Sequence, residues 1–170
     1  VSPAGTPNVT AMLPYSLSDK LPILFPYAFS HALTNPPRPY VFTTLPEVRV
    51  QMSVLGEYIL NTQKQRKIAA IYQNDDFGQD AVTGLEDRLK KDNVPLTKLP
   101  FDRGSTNFSG VVAQAKAAGA EHVVFLGTGA RSYMNPEELG QLGIEVHLIK
   151  GYGDTAVAEC AIALMWEGAR

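Results

Sequence analysis

Asn74, Asp75, Asp76 and Phe77 stand together just after an apolar run and just before a helical pattern. Two adjacent carboxylates in such a loop could ligate a metal or work as an acid and base. An aspartate directly before a helix is also its natural N-cap and complements the helix dipole, and that reading is preferred here. Gly127-Thr128-Gly129 follows another apolar run, as a phosphate-binding turn would. The dinucleotide fingerprint needs a third glycine where Ser132 stands, Pro136 interrupts the helix that should follow, and the next strand ends at Lys150 rather than at an acid. The two glycines therefore read as a plain turn. The three histidines, His31, His122 and His147, show no ligand spacing, and the single cysteine, Cys160, is far from each in sequence, so a zinc site has little support. His122 and His147 fall in expected strands, where a hydrogen-bonded structural role is the default. There is no G-x-S-x-G elbow and no Walker loop. Asn8-Val9-Thr10 and Asn107-Phe108-Ser109 match the glycosylation pattern, a common match without weight by itself. No residue is assigned a catalytic, cofactor-binding or metal-binding role, and no cofactor is expected.

The elements that must position these residues are legible from residue 47 onward. Val48, Met52, Leu55 and Ile59 give residues 48–61 one helical face. Residues 67–72 form a nearly continuous apolar run, as a buried parallel strand requires. Ala81, Leu85 and Leu89 make residues 80–91 amphipathic; residues 96–101 read as a weaker, proline-flanked strand. A helix over 108–118 ends at Gly119, and 122–126 is another buried strand. A short helix over 137–142, a strand over 146–149 and a capped helix over 155–166 complete the pattern. Strands alternating with helices imply βαβ units, hence a three-layer α/β fold whose mainly parallel sheet is covered by helices on both faces. In such sheets ligands bind at loops after the strands' carboxyl ends. Four loops qualify: 26–35, 73–79, 127–131 and 151–155.

The first 46 residues differ. Nine of the 12 prolines lie there, with only Asp19, Lys20 and Arg38 charged. Disorder combines low hydrophobicity with high charge, and this segment has neither. The runs 21–25 and 40–44, bounded by prolines, predict short strands joined by ordered loops. The whole chain has 170 residues, 45% hydrophobic and 19% charged, with 17 acids against 15 bases and a net charge of −2. That balance lacks the basic footprint of a nucleic-acid binder. No run of about 18 apolar residues suits a membrane span. A chain this long buries roughly 70% of its unfolded surface and needs no disulfide or metal staple. No charged and apolar leader opens the sequence, so either a leader has been removed or the sequence starts within a longer protein. One α/β domain is expected over residues 1–170.

Two resemblances then emerge. Residues 1 to about 126 resemble a type I periplasmic binding protein of the branched-chain amino-acid group. The resemblance is carried by Ser2-Pro-Ala-Gly-Thr-Pro7, Leu21-Pro-Ile-Leu-Phe-Pro-Tyr-Ala-Phe-Ser30 and Pro39-Tyr-Val-Phe-Thr-Thr44. It continues in Lys67-Ile-Ala-Ala-Ile-Tyr-Gln-Asn-Asp-Asp-Phe-Gly78, Asp102 and Ala118-Gly-Ala-Glu-His-Val-Val-Phe125. In that family two lobes close on an amino acid or similar carboxylate, and a membrane permease collects it. The resemblance implies ligand contacts at Ser2, Ala28, Ser30 and Phe77. Familiar members carry tyrosine at the last position, so Phe77 loses a phenolic donor and suits an apolar or aromatic ligand. It also implies a periplasmic location.

Residues from about 121 onward resemble instead the flavodoxin-like substrate domain of the D-2-hydroxyacid dehydrogenases. That likeness rests on Gly127-Thr-Gly-Ala-Arg-Ser-Tyr-Met-Asn-Pro-Glu-Glu-Leu139 and Gly151-Tyr-Gly-Asp-Thr-Ala-Val-Ala-Glu159. The positions of that family's dinucleotide fingerprint and catalytic residues are not reached, so no dehydrogenase activity is expected. A seam near 122–129 predicts an engineered chimera without catalysis, its half-lined cleft binding a small carboxylate or amino acid at best in the millimolar range. The alternative is a periplasmic solute-binding protein of an ABC transporter for an amino acid or aromatic carboxylate. The apolar residues Val157, Ile162, Leu164 and Met165 of the last helix predict self-association through it. No nucleic-acid partner and no membrane insertion are expected.

Overall fold

The computed structural model describes residues 3–127. The chain divides into two compact units, Val1–Tyr133 and Met134–Arg170, and the described residues belong to the first. Ser2, His147, Cys160, the loop 151–155, most of the loop 127–131, and the expected elements over 137–142, 146–149 and 155–166 lie outside the described residues.

The centre of the larger half is a three-stranded parallel sheet: β3 (Ile68–Gln73) lies between β4 (Leu96–Phe101) and β5 (His122–Leu126). Ile68 pairs with Leu96 on one side and with His122 on the other. All six residues of β3 are buried, which explains its unbroken apolar run. Side-chain alternation then splits the core. Ile68, Ala70 and Tyr72 face α2 (Val48–Asn61) and α3 (Asp76–Lys90) through Val48, Ile59, Ala81, Leu85 and Leu89. Ala69 and Ile71 face the opposite way, toward α4 (Ser109–Ala117), in a cluster with Leu99, Phe101 and Ala115. The two crossovers run in opposite directions across the sheet, and right-handedness therefore puts α3 and α4 on opposite faces. The α/β class with helices on both faces of a parallel sheet holds. Pro100, which cannot donate to a ladder, is in β4, the edge strand of this sheet among the described residues.

Glycine sets how closely α2 and α3 approach. A Cβ on Gly84 would sit 2.4 Å from the Arg49 carbonyl oxygen, so the helix backbones meet there. A Cβ on Gly78 would lie 1.8 Å from the Gln73 carbonyl oxygen, where α3 leaves the end of β3. Both positions require glycine.

The proline-rich segment has its own small core of Val9, Leu13, Ile23, Ala28 and Leu33. Two parallel two-residue strands, β1 (Ile23–Leu24) and β2 (Val41–Phe42), replace the longer strands expected over 21–25 and 40–44. The helix α1 (Thr6–Ser18) was not expected at all. Pro7 suits its first turn, where an N–H would be unpaired anyway, whereas Pro14 stands inside it and reads in sequence as a breaker. Packing of Thr6, Val9, Leu13 and Ser16 outweighs that local penalty. In the larger half, α3 begins four residues before the expected 80, because Asp75 caps it.

Candidate functional site

The stretch that holds Ser30 joins two other segments of the chain. The first is the stretch before α1: Gly5 N–H donates to the Tyr27 carbonyl at 2.9 Å, and Tyr27 N–H donates to the Pro3 carbonyl at 2.9 Å. In the joining stretch, residues 27–34, Ser30 caps a 3-10 turn at His31–Leu33 by accepting from Ala32 N–H at 3.2 Å. The second segment is the start of α3. Its residue Asp80 accepts the Ser30 hydroxyl at 2.5 Å and the His31 N–H at 2.9 Å on Oδ2. Oδ1 of the same carboxylate accepts Arg49 of α2 twice, Nε at 2.9 Å and Nη2 at 2.7 Å. One buried aspartate thus joins residues 30 and 31 to both helices of the sheet.

A second carboxylate extends the network. His31 Nδ1 lies 2.7 Å from Glu47 Oε2, and the Thr34 hydroxyl donates to Glu47 Oε1. Asn35 Nδ2 lies 2.8 Å from His31 Nε2; with the amide donating there, the ring proton sits on Nδ1 and is donated to Glu47. Burial pushes the Asp80 carboxyl up, but hydrogen bonds from Ser30, Arg49 and the His31 N–H outweigh it and hold it below the usual carboxylate range. The Thr34 hydroxyl, with His31 and Arg49, likewise keeps Glu47 low against the cost of its burial. A cleft of about 350 Å³ opens beside the network, lined by Ser30, His31, Ala32, Asn35, Arg49, Asp76, Gln79 and Asp80.

Ser30, His31 and Asp80 have the residue types of a hydrolase triad but not its wiring. Ser30 donates straight to Asp80, while the His31 ring is engaged with Glu47 and Asn35. No imidazole is placed on the hydroxyl. The Asp75-Asp76 pair resolves as the cap: Asp75 Oδ1 accepts Gly78 N–H at 3.1 Å, and Oδ2 accepts the Gln73 side-chain amide. Among the described residues, no three His, Cys, Asp or Glu side chains gather to hold a metal.

Of the four residues singled out in sequence, Ser30 lines the cleft, Ala28 is buried in the small core, and Phe77 is half-buried against the large one. Ser2 lies outside the described residues, directly before the paired Pro3. Ala28 and Phe77 do not line the cleft that Ser30 lines. Within the described residues the N–H groups of Ala28 and Ser30 donate no hydrogen bond. Asp80, Arg49, Glu47 and His31 were missed as a unit. The only sequence signal was an aspartate at the border of the apolar stripe 81, 85 and 89, one turn before the glycine at which α2 and α3 touch.

The profile of the periplasmic binding proteins matches residues 1–154. The chain belongs to the periplasmic binding protein family. A Leu/Ile/Val-binding protein homologue from Brucella melitensis is 28% identical over 116 residues, covering 66% of this chain and 31% of its own length. Among solved structures, a branched-chain amino acid ABC transporter protein from Thermus thermophilus with bound valine superposes with a TM-score of 0.68 at 19% identity, over 85% of this chain and 38% of that one. A solute-binding protein of an ABC transporter from Rhodopseudomonas palustris, in complex with benzoate, superposes at 0.73 with 18% identity, over 83% and 41%. The chain therefore spans about a third of that curated relative's length.

The family match also corrects the expected chimera. It runs without change of family through 122–129, where a seam was expected, and on over the glycine turn compared with dehydrogenases. No comparison supports a dehydrogenase segment. Glycine pairs after an apolar run recur in many unrelated α/β sequences, so those residues do not by themselves mark a lineage.

Proposed function

We propose that the chain binds a small carboxylate, an amino acid or an aromatic acid, as part of the periplasmic solute-binding component of an ABC transporter. The observation that carries the proposal is that residues 27–31 bond both to residues 3–5 and to Asp80 of α3, and that among the described residues the Ala28 and Ser30 N–H groups of this stretch donate no bond. On this reading Ser30, which lines the cleft, and Ala28 next to it in the chain supply those donors, and the family likeness adds Ser2 and Phe77 as further ligand contacts. A carboxylate is the ligand that such donors suit. The missing phenolic oxygen at Phe77 favours an apolar or aromatic side group. Binding is favoured over triad chemistry by the wiring of Ser30, whose hydroxyl donates to the Asp80 carboxylate while the His31 ring is engaged with Glu47 and Asn35.

Calorimetric titration with valine, phenylalanine and benzoate tests this. Affinity on the order of millimolar is expected from two backbone donors and one apolar contact. No heat from any of the three at ligand concentrations of tens of millimolar contradicts the reading.

A further inference from the structure

We propose that Asp80 is a positioning residue for carboxylate binding: it holds Ser30 and His31 in place so that the Ser30 N–H, and not its hydroxyl, is the donor offered to the ligand. This rests on the solute-binding reading above and assigns a role within that site to a residue of α3 that the sequence did not single out.

The proton of the Ser30 hydroxyl is already engaged. It donates its one proton to Asp80 Oδ2 at 2.5 Å and accepts from Ala32 N–H at 3.2 Å. Ser30 and Asp80 are only 3% and 8% exposed, so neither exchanges this bond freely for water. A hydroxyl has one proton, and a ligand carboxylate offers acceptors only, so the hydroxyl has nothing left to give it. The Ser30 N–H donates no bond among the described residues. The same aspartate fixes the next residue as well, through the His31 N–H at 2.9 Å. Two consecutive residues are thereby tied to one carboxylate, which sets the direction of the peptide carrying the free donor.

Asp80 also links the two halves of the proposed site. It stands three residues after Phe77 on α3, one helical turn away, so the bond to Ser30 sets the spacing between the donor at Ser30 and the contact proposed at Phe77. Arg49 keeps the carboxylate charged and orients it through a paired contact from one guanidinium. Gly84 allows this, because the close approach of the two helix backbones brings Arg49 to Asp80. Preorganisation of this kind acts on affinity through geometry, without contact between Asp80 and the ligand.

The test uses the full 170-residue chain, 15N-labelled, titrated with benzoate and with valine by NMR and followed in parallel by thermal melting. In the wild type the Ser30 amide resonance shifts on titration. Asp80→Asn is expected to weaken binding about tenfold and to remove the Ser30 amide shift at matched occupancy, with the fold retained. Ser30→Ala deletes only the hydroxyl and is expected to weaken binding by a similar factor. The double variant should be no weaker than Asp80→Asn alone, since both remove the same tie. If Asp80→Asn fails to fold, Ser30→Ala decides. Wild-type affinity in Ser30→Ala, with an unchanged amide shift at position 30, overturns the proposal and leaves the binding reading intact. Absence of any shift in the wild type overturns that reading, and this one with it.

Discussion

In residues 3–46, five buried apolar side chains gather beneath one proline-containing helix and two strands of two residues each. In residues 47–126, thirteen are packed on one face of the sheet alone, and a separate cluster fills the other. The larger region is stabilised by regular elements that bury long runs. The smaller has fewer buried apolar side chains and is tied to its neighbour by Phe29, packed against the larger core, and by polar bonds, Ser30 and His31 to Asp80 and His31 to Glu47. The proposed ligand donors lie in the smaller region, beside those ties. Rigidity at the site is thus supplied by the sheet region across a hydrogen-bond network.

Core truncation tests the contrast most strongly. Leu85 and Leu33 are both almost fully buried, at 0% and 1% exposure. Leu85→Ala should cost about 3–5 kcal/mol and Leu33→Ala about 2–3 kcal/mol, because the smaller core has less rigid surroundings and collapses further around the lost volume. Urea unfolding of the two variants measures this, and the reverse order would break the comparison.

Next in size is Pro14→Ala. Pro14 is exposed, so little packing is lost, and the new N–H can bond the Thr10 carbonyl one turn back. Removing an interior proline is worth roughly 3 kcal/mol in a helix, offset by up to about 1 kcal/mol of added chain entropy when unfolded. A gain of about 2 kcal/mol is expected. No gain would show that α1 is shaped by its core rather than held against a local penalty.

The acid limb of stability sharpens the point about the polar tie. The folded pKa of Asp80 is depressed, so its contribution is complete above the unfolded value near 3.9 and is lost as pH falls through the lower folded value. Wild-type melting temperature should therefore fall more steeply than that of Asp80→Asn between about pH 5 and pH 2. Parallel profiles would mean that the carboxylate contributes nothing through its charge. The smallest effect belongs to the Lys67–Glu121 pair, whose side chains are 65% and 56% exposed. Glu121→Gln should leave the melt unchanged, since an exposed ion pair gains little over its hydrated partners.

The same contrast explains what the sequence disclosed. In the sheet region, periodicity located α2 over 48–61 and β4 and β5 over 96–101 and 122–126, because one face of each pattern is dictated by burial. The start of α3 was displaced because the first helical turn is polar, and only the Asp75 cap marks it. In the proline-rich region local signals misled: Pro14 argued against a helix that tertiary packing nonetheless maintains. The family likeness pointed to Ser30, which lines the cleft, and to Phe77, which does not. The wiring of the site was not legible, since Ser30 and Asp80 are 50 residues apart and no local spacing connects them.

The central claim, that this chain offers backbone donors at Ala28 and Ser30 to a small carboxylate, is tested most directly by mapping benzoate-induced amide shifts residue by residue. Saturable shifts concentrated at residues 27–31 and around Phe77, at the ends of the two regions that meet there, are the predicted result. Saturable shifts confined elsewhere, for instance to α4 on the opposite face of the sheet, would contradict it.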